Sequence, residues 1–332
     1  MRLTAVPVIK DDTQRRIRPN ILIDGLVSDG GIRMRWTFQL LTKPYGGVTE
    51  GPVWDGEAVY FTHIPASRIL RYDPRTGAIT EWRSGTNRTN GLAYDLQGRL
   101  FGCCAGGRAI VRFDPDGRTA TIADRLDGKK LHTPNDLAID RQGRIWFTNP
   151  WNAGNIDPGE QMELDHQSVL CADPQPNGRY TVTRVTFDTT MPNGILVSPD
   201  QRALYVAESG YATDRARELR AYPILDDGSL GPYTVLHTFG SDSQGVQRGI
   251  DGMCFDADGN IVATAGWEQG GPGPLIYIFS PTGRVLETHP VPALRPTNCC
   301  FGGADLTTLY VTTTQGHLFR VETDRVGWAM YP

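Results

Sequence analysis

The feature that most constrains the fold is a segment that recurs six times along the chain. Each copy joins a polar first residue, a strand-like run, a tight turn built on Asp or Gly, and a second strand-like run. The copies begin at Glu50, Asn90, Asn135, Asn193, Asp251 and Asn298, at spacings of 40, 45, 58, 58 and 47 residues. Strand-turn units between the copies supply a second hairpin in each repeat. Because two hairpins make a four-stranded sheet, the repeat predicts an all-β protein, a six-bladed β-propeller.

The two ends of the repeat region are expected to meet in one blade. The last repeat has room for only three strands after Asn298. The segment RMRWTFQLL at 33–41 precedes the first inner strand and is the candidate for the missing fourth strand. We therefore expect a single propeller domain over 33–332, closed by the 33–41 strand, with residues 1–32 as an N-terminal arm or cap.

The polar residue that begins each copy is expected to lie at one mouth of the central channel, since the inner strand of every blade lines that channel. Asn and Asp also begin strands simply because their side chains cap turns. Six symmetry-equivalent positions favour convergence instead, and would bring the carboxylates of Glu50 and Asp251 close to one axis. Two such carboxylates repel or share a proton unless a cation neutralises them. The pattern thus predicts a central metal site.

The expected cofactor is one divalent metal ion held by oxygen atoms. No His or Cys occupies a first position, and hard oxygen donors select Ca²⁺, Mg²⁺ or Mn²⁺. An irregular ring of carboxylates, amides and water suits Ca²⁺ best, with Mg²⁺, Mn²⁺ and Zn²⁺ as the alternatives.

Charge and composition narrow the classes of partner. A net charge of −4 leaves no basic surface for a phosphate backbone, so we expect a small-molecule substrate and no nucleic acid. No apolar run approaches the length of a membrane span, and the first residues lack the apolar stretch of a signal peptide. The six cysteines show no CxxC spacing, which suits reduced core thiols. We expect a cytoplasmic protein with no membrane contact, as a monomer or small homo-oligomer.

Five short motifs resemble one known family in order and content. They are EGPVW at 50–54, PND at 134–136, PNG at 192–194, DGMCFDADG at 251–259 and NCCFGG at 298–303. Together they resemble the senescence marker protein/gluconolactonase/luciferin-regenerating-enzyme family. The resemblance implies a six-bladed propeller with one catalytic divalent metal that hydrolyses sugar or other lactones.

The same resemblance implies roles for individual residues. The metal ligands map to Glu50, Asn193 and Asp251, with Asn135 as a fourth ligand or a substrate contact; similarity to diisopropyl fluorophosphatase implies that all four bind calcium. One departure concerns the substrate, because Thr133 stands where the aldonolactonases of animals place an Arg. The resemblance therefore implies the metal site but does not identify the lactone.

Metal-assisted hydrolysis needs a general base close to the ion. Asp251 is the candidate, as a carboxylate at the axis, with metal-bound hydroxide as the competing nucleophile. His63, at a predicted mouth position, is the additional acid or base candidate. The expected substrate contacts are the remaining first-position amides, side chains that follow second strands, and His132, the next candidate after His63. They are Asn90, Asn135, His132, Asn149, Trp151, Trp267 and Asn298. The long loops at 149–167 and 208–217 are expected to cover the site, or else to be passive surface loops.

Three other functions stay open at this point. The same site would serve a metal-dependent phosphotriesterase, or an isomerase or lyase acting on a carbonyl compound. Alternatively, the metal is structural and the protein is a non-enzymatic ligand-binding propeller. The sequence contains no GxSxG, HExxH or GxxxxGK[ST] motif, which argues against serine hydrolases, zincins and P-loop enzymes.

Overall fold

Six antiparallel sheets follow one another along the chain in the computed structural model, which describes residues 35–331. The inner strand of each sheet contacts the inner strands of both neighbouring sheets, so the sheets form a closed ring around an axis. This arrangement confirms the predicted all-β, six-bladed propeller. The arm or cap expected at 1–32 lies outside the described residues.

Each of the first three blades consists of four successive strands, ordered from the axis outwards. Blade 1 comprises Thr49–Trp54, Val59–His63, Arg68–Asp73 and Ala78–Ser84. Blade 2 comprises Thr89–Tyr94, Leu100–Cys104, Ala109–Phe113 and Thr119–Ala123. Blade 3 comprises Leu137–Ile139, Ile145–Asn149, Ser168–Pro174 and Tyr180–Arg184.

The remaining blades repeat this order. Blade 5 has an extra strand, and the outermost strand of blade 6 comes from the segment that precedes blade 1. Blade 4 comprises Pro192–Val197, Ala203–Ser209, Arg217–Pro223 and Thr234–Thr238. Blade 5 comprises Ile250–Asp256, Ile261–Trp267, Gly270–Phe279 and Val285–Pro290, with Gly327–Trp328 beside its inner strand. Blade 6 comprises Pro296–Gly302, Thr308–Thr313, Leu318–Glu322 and Gln39–Leu40.

Within the described part of the chain, the short elements outside the blades are two ribbons and one helical turn. The ribbons pair Arg125–Leu126 with Lys129–Lys130 and Ser241–Asp242 with Gly245–Val246, and the 3₁₀ turn spans Ala153–Asn155. Within residues 35–331 no helix has the length and apolar character needed to cross a membrane.

Blade 6 takes its outermost strand from the N-terminal side of the described chain. Gln39 and Leu40 pair antiparallel with Arg320 and Phe319, so residues from both ends of the described chain share one sheet. Just before this strand, the Trp36 ring stacks on His289 at 3.8 Å between ring centroids. These contacts hold the incoming segment against the ring.

The strand Gly327–Trp328 has no counterpart among the elements predicted from the sequence. It pairs with Phe255 and Asp256 at the end of the inner strand of blade 5. The Trp328 ring packs edge-on against Phe255, with 6.0 Å between centroids, and Arg325 Nη1 donates to Asp256 Oδ2 at 2.6 Å. The strand Gly327–Trp328 therefore lies at the end of the blade 5 inner strand that is opposite its polar first residue, Asp251.

Burial follows the position of a strand in its blade. The second strands are almost wholly buried, and Val59–His63 and Ile145–Asn149 are buried at every residue, whereas the outermost strand Ala78–Ser84 has no buried residue. Second strands are covered on both faces because adjacent blades pack face to face, as in other stacked sheets. The hydrophobic core thus lies between the blades and leaves polar side chains to the axis.

The predicted hairpin tips form through local hydrogen bonds. In blade 3, Asp140 Oδ1 accepts from the backbone N–H of Gln142 at 3.0 Å and of Arg144 at 2.9 Å. Gly143 closes this turn with φ +81°, a left-handed conformation that glycine adopts without strain. The Asp and Gly residues of the repeat therefore set the length and register of each hairpin.

Candidate active site at the central channel

The inner strands approach one another closely because glycine follows the polar first residue in four of the six repeats. A Cβ atom on Gly51 would lie 2.6 Å from the carbonyl oxygen of Asn90, and one on Gly91 would lie 2.9 Å from the carbonyl oxygen of Asn135. The N–H of Gly91 instead donates to that Asn135 oxygen at 2.8 Å. Glycine thus brings the first positions of blades 1, 2 and 3 side by side.

Because the inner strands approach so closely, we expect a substitution at Gly51 to destabilise the protein more than one at a turn glycine. Gly51→Ala combines a left-handed backbone, at φ +49°, with a clash against backbone atoms, and we expect it to lower the free energy of unfolding by about 2–4 kcal/mol. Gly77→Ala in the same blade has φ +71° but no atom within 4 Å, so only backbone strain of about 1–2 kcal/mol applies. Urea denaturation measures both; equal losses would contradict close packing at the axis.

A cavity of about 360 Å³ opens where the first positions meet. Five of the six predicted first-position residues line it: Glu50, Asn90, Asn135, Asn193 and Asp251. The remaining lining residues come from the loops and strand ends around them: Val48, Ile64, Pro150, Asn152, Asn155, Met191, Pro192, Tyr211, Arg248, Trp267, Arg295, Thr297 and Thr314. Both long loops at 149–167 and 208–217 contribute to this wall.

Two buried carboxyl groups share the cavity. Glu50 is 5% exposed and Asp251 is 8% exposed. Burial raises the pKa of Glu50 well above its usual range, and the charges of Asp251 and Asp136 raise it further. Burial also raises the pKa of Asp251, although Arg248 and Asn193 oppose this shift. Burial therefore disfavours the charged form of both groups, and positive charge in the cavity favours it.

Arg248 is a site residue that the sequence did not indicate. Its Nη2 donates to Asp251 Oδ2, and its Nη1 donates to the carbonyl oxygen of Pro296 at 2.8 Å. Burial works to lower the pKa of Arg248, but the charge of Asp251 and the nearby Tyr211 outweigh it, and the pKa is raised. Arg248 therefore stays charged and fixes the Asp251 carboxylate through Oδ2, which leaves the second oxygen, Oδ1, for other partners.

Asp136 is a second residue that was missed, although a signal for it exists. It follows Asn135 where four other repeats have glycine, so the third repeat places a carboxyl group beside its neighbours. Its Oδ1 accepts from the N–H of Leu137 at 3.0 Å, and its Oδ2 accepts from Asn298 Nδ2 at 3.3 Å. Burial raises the pKa of Asp136 to about 7. The replacement of the usual glycine by an aspartate is the sequence signal that could have identified Asp136.

Asn298, predicted as a substrate contact, does not line the 360 Å³ cavity. Its Oδ1 accepts from the N–H of Cys299 at 2.8 Å, and with Asp136 it lines a separate, mostly apolar cavity of about 180 Å³. Residues of the C-terminal segment, including Trp328 and Tyr331, line that second cavity too. Asn298 therefore lies beneath the candidate site, toward the far end of the channel.

His63, predicted as a catalytic acid or base, is also absent from the cavity wall. Its Nδ1 accepts from Arg68 Nε at 3.2 Å, so Nε2 carries the proton and donates to the carbonyl oxygen of Gly46 at 2.9 Å. Both ring nitrogens are thus occupied by structural hydrogen bonds, while the next residue, Ile64, reaches the cavity.

Three further predicted contacts support the wall from behind. Asn149 Oδ1 accepts from the N–H of His132 at 3.0 Å, and His132 Nε2 lies 3.1 Å from the carbonyl oxygen of Leu164. The Trp151 ring packs edge-on against His132, with 5.5 Å between centroids. None of the three lines the cavity, but their contacts hold the 149–167 loop, whose Asn152 does.

Trp267 is the predicted aromatic contact that does line the cavity. Its ring stacks on Tyr211 with 5.9 Å between centroids, and the Arg295 guanidinium lies 5.2 Å from its centroid. One wall therefore combines aromatic surface with a cation.

The oxygen atoms of the cavity fit a hard divalent cation. Asn90 Oδ1 is buried without a hydrogen-bond partner, and two carboxyl groups with raised pKa values face the same space. Among residues 35–331 no three His, Cys, Asp or Glu side chains cluster as they do around a metal. An ion in this cavity would therefore depend on amide oxygens as well as carboxylates, which is a calcium-like donor set.

The chain belongs to the SMP-30/gluconolactonase/LRE-like family, whose model matches residues 48–315. It is similar to the gluconolactonase of Zymomonas mobilis, with 29% identity over 298 residues that cover 84% of this chain and 79% of that protein. It is also similar to the regucalcin of Danio rerio, with 27% identity over 83% of this chain and 85% of that protein.

The chain is also similar to a solved gluconolactonase structure. The gluconolactonase XC5397 from Xanthomonas campestris superposes with a TM-score of 0.72 at 29% identity, covering 87% of this chain and 89% of that one. The similarity to gluconolactonases supports a hydrolase that opens lactones and acts on a small molecule.

Proposed function

We propose that this protein is a metal-dependent lactonase whose cyclic ester substrate binds in the 360 Å³ cavity. The observation that carries the proposal is the pair of buried carboxyl groups, Glu50 and Asp251, that face one oxygen-lined cavity together with unpaired amide oxygen. Similarity to gluconolactonases supports the reaction type.

Glu50, Asn135, Asn193 and Asp251 would hold the ion, and Asn90 Oδ1 is the further oxygen within the same wall. We propose Ca²⁺, since the donors are hard oxygens in an irregular ring and a relative is named regucalcin. When bound, the ion supplies Lewis-acid polarisation of the ester carbonyl.

The side chains of this protein then divide the remaining work. Asp251 accepts a proton from the attacking water as the water oxygen bonds to the lactone carbonyl carbon. The ester C–O bond then breaks, the ring oxygen takes that proton from Asp251 as it leaves, and a hydroxy acid results. Arg248 orients Asp251 through Oδ2, which leaves Oδ1 to accept the proton. Glu50 supplies the second negative charge that the ion requires.

Water access and substrate orientation fall to the loops. Asn152 and Asn155 from the 149–167 loop, with Tyr211 from the 208–217 loop, line the cavity. Their amide and hydroxyl groups are suited to the hydroxyls of a sugar-type lactone.

The proposal is tested with a panel of sugar, aliphatic and aromatic lactones followed by pH-stat titration. We expect one or more sugar lactones to open, activity to vanish after chelation, and Ca²⁺ to restore it. Mg²⁺, Mn²⁺ and Zn²⁺ serve as comparison ions. Metal-bound protein that opens no lactone in the panel would contradict the proposal and favour a binding propeller, whereas turnover of phosphotriesters alone would reassign the chemistry.

A further inference from the structure

Arg295 is a cation on the cavity wall that has no role in the proposed hydrolysis. Its Nη2 and Nε donate to Glu268 at 2.7 and 3.1 Å, and its guanidinium lies over the Trp267 ring. Nη1 forms no hydrogen bond with any residue of the described chain. Glu268 and Trp267 therefore fix the guanidinium plane and leave a donor edge available.

The charges around the cavity point to an anionic ligand group. The charged side chains that line it are Glu50, Asp251, Arg248 and Arg295, whose charges cancel when all are ionised. Arg248 is bonded to Asp251 within the wall, whereas Glu268, the partner of Arg295, is not among the residues that line the cavity. An anion that enters the cavity can therefore pair with Arg295 from the cavity side.

The shape of the wall suits a substituent held away from the reacting carbonyl. Arg248 is 4% exposed and already bonded to Asp251, whereas the Arg295 side chain is 33% exposed. Tyr211 and Trp267 stack beside Arg295 and provide a flat apolar surface next to its guanidinium. Guanidinium groups bind carboxylate, sulfonate and phosphate oxygens through two parallel N–H donors.

From these observations we infer that Arg295, backed by Arg248, forms a subsite for an anionic substituent, and that the substrate is an acidic lactone. This inference rests on the proposed lactonase function. Arg295 is then a specificity-determining residue that contacts the substrate at the end remote from its ester.

The experiment compares lactones that differ only by one anionic group. D-glucaro-1,4-lactone is paired with D-glucono-1,4-lactone, and 6-phospho-D-glucono-1,5-lactone is paired with D-glucono-1,5-lactone. We expect kcat/KM to favour the acidic member of at least one pair by about tenfold or more, the worth of a charge-assisted hydrogen bond. Added salt is expected to reduce that ratio. Which pair responds identifies carboxylate or phosphate.

Variants test whether Arg295 causes the preference for acidic lactones. In Arg295→Gln the ratio is expected to fall toward one, and Arg295→Lys is expected to retain part of it. Arg83→Gln is the matched control, because Arg83 also lies over a tryptophan, Trp82, at 4.7 Å but does not line the cavity; it should keep the wild-type ratio.

Binding of the open products gives a readout independent of turnover. By calorimetry, with calcium and after chelation, D-glucarate is expected to bind about tenfold more tightly than D-gluconate in an Arg295-dependent way. Lactones opened without any acidic preference, or a preference that survives Arg295→Gln, would overturn the subsite and leave the lactonase proposal standing. Arg295-dependent glucarate binding without lactone opening would support the subsite and refute the lactonase proposal. The absence of both lactone opening and Arg295-dependent glucarate binding would refute both proposals.

Discussion

Asp251→Asn is expected to lower kcat/KM for lactone opening by about 10²–10⁴-fold, because the amide cannot accept a proton from the attacking water. It also leaves the Arg248 guanidinium buried without its carboxylate partner. Such an unpaired buried charge typically lowers the free energy of unfolding by about 3–5 kcal/mol. Lactonase kinetics and a thermal melt on the same preparation measure the two effects.

A second variant separates catalysis from folding. Asp251→Asn combined with Arg248→Gln removes both buried charges, so we expect it to be more stable than Asp251→Asn alone and still inactive. Asp258→Asn, an exposed change in the same blade, is the control and should resemble the wild type. A double variant that regains activity with its stability would show that Asp251 has a structural role only.

Glu50→Gln is expected to abolish most of the stabilisation that calcium confers. A ligand present at about 100 times its Kd stabilises the folded state by about 2.7 kcal/mol, and loss of one of two carboxylate ligands removes nearly all of this. Differential scanning fluorimetry with and without Ca²⁺ measures the shift in Tm. Glu57→Gln, exposed on the same blade, is the control and should retain the full shift. A calcium-induced shift that persists in Glu50→Gln would place the ion elsewhere.

The direction of the pH effect follows from the same carboxyl groups. The pKa of Glu50 is raised in the folded protein, so without the ion its contribution to stability is present in acid and is lost as pH rises through that raised pKa. Calcium requires the ionised form and competes with the proton. The calcium-induced rise in Tm is therefore expected to be larger at pH 8 than at pH 5, and an equal rise at both would argue against carboxylate ligands.

The blades were predictable because the information for them is local. Each repeat contains its own turn residues, such as Asp140 and Gly143, and these fix a hairpin irrespective of the rest of the chain. Six hairpins at similar spacing then allow one ring. The strand Gly327–Trp328 was not predictable in this way, since it has no counterpart in the other repeats.

The cavity wall was predictable only where the repeat itself places a residue. Glu50 and Asp251 lie at equivalent positions of their blades, so counting repeats brought them together. Arg248 lies in an irregular loop before its strand, and no spacing rule says which way such a side chain turns. His63 ends a second strand, where a shift of one residue moves a side chain from the cavity into the structure behind it, and Ile64 occupies the wall instead.

The closure of blade 6 has a consequence for the order of assembly. Gln39 and Leu40 pair with residues about 280 positions later in the chain, and Thr297 Oγ1 donates to the carbonyl oxygen of Thr49, directly before Glu50. Glu50, in blade 1, and Asp251, in blade 5, thus lie on opposite sides of blade 6, the blade that closes the ring. A chain synthesised only as far as blade 5 already contains all four proposed ligands, but blade 6 lies between blades 5 and 1 and is needed to close the ring. Competence to bind the ion is therefore expected to arise late, when blade 6 docks against blade 1.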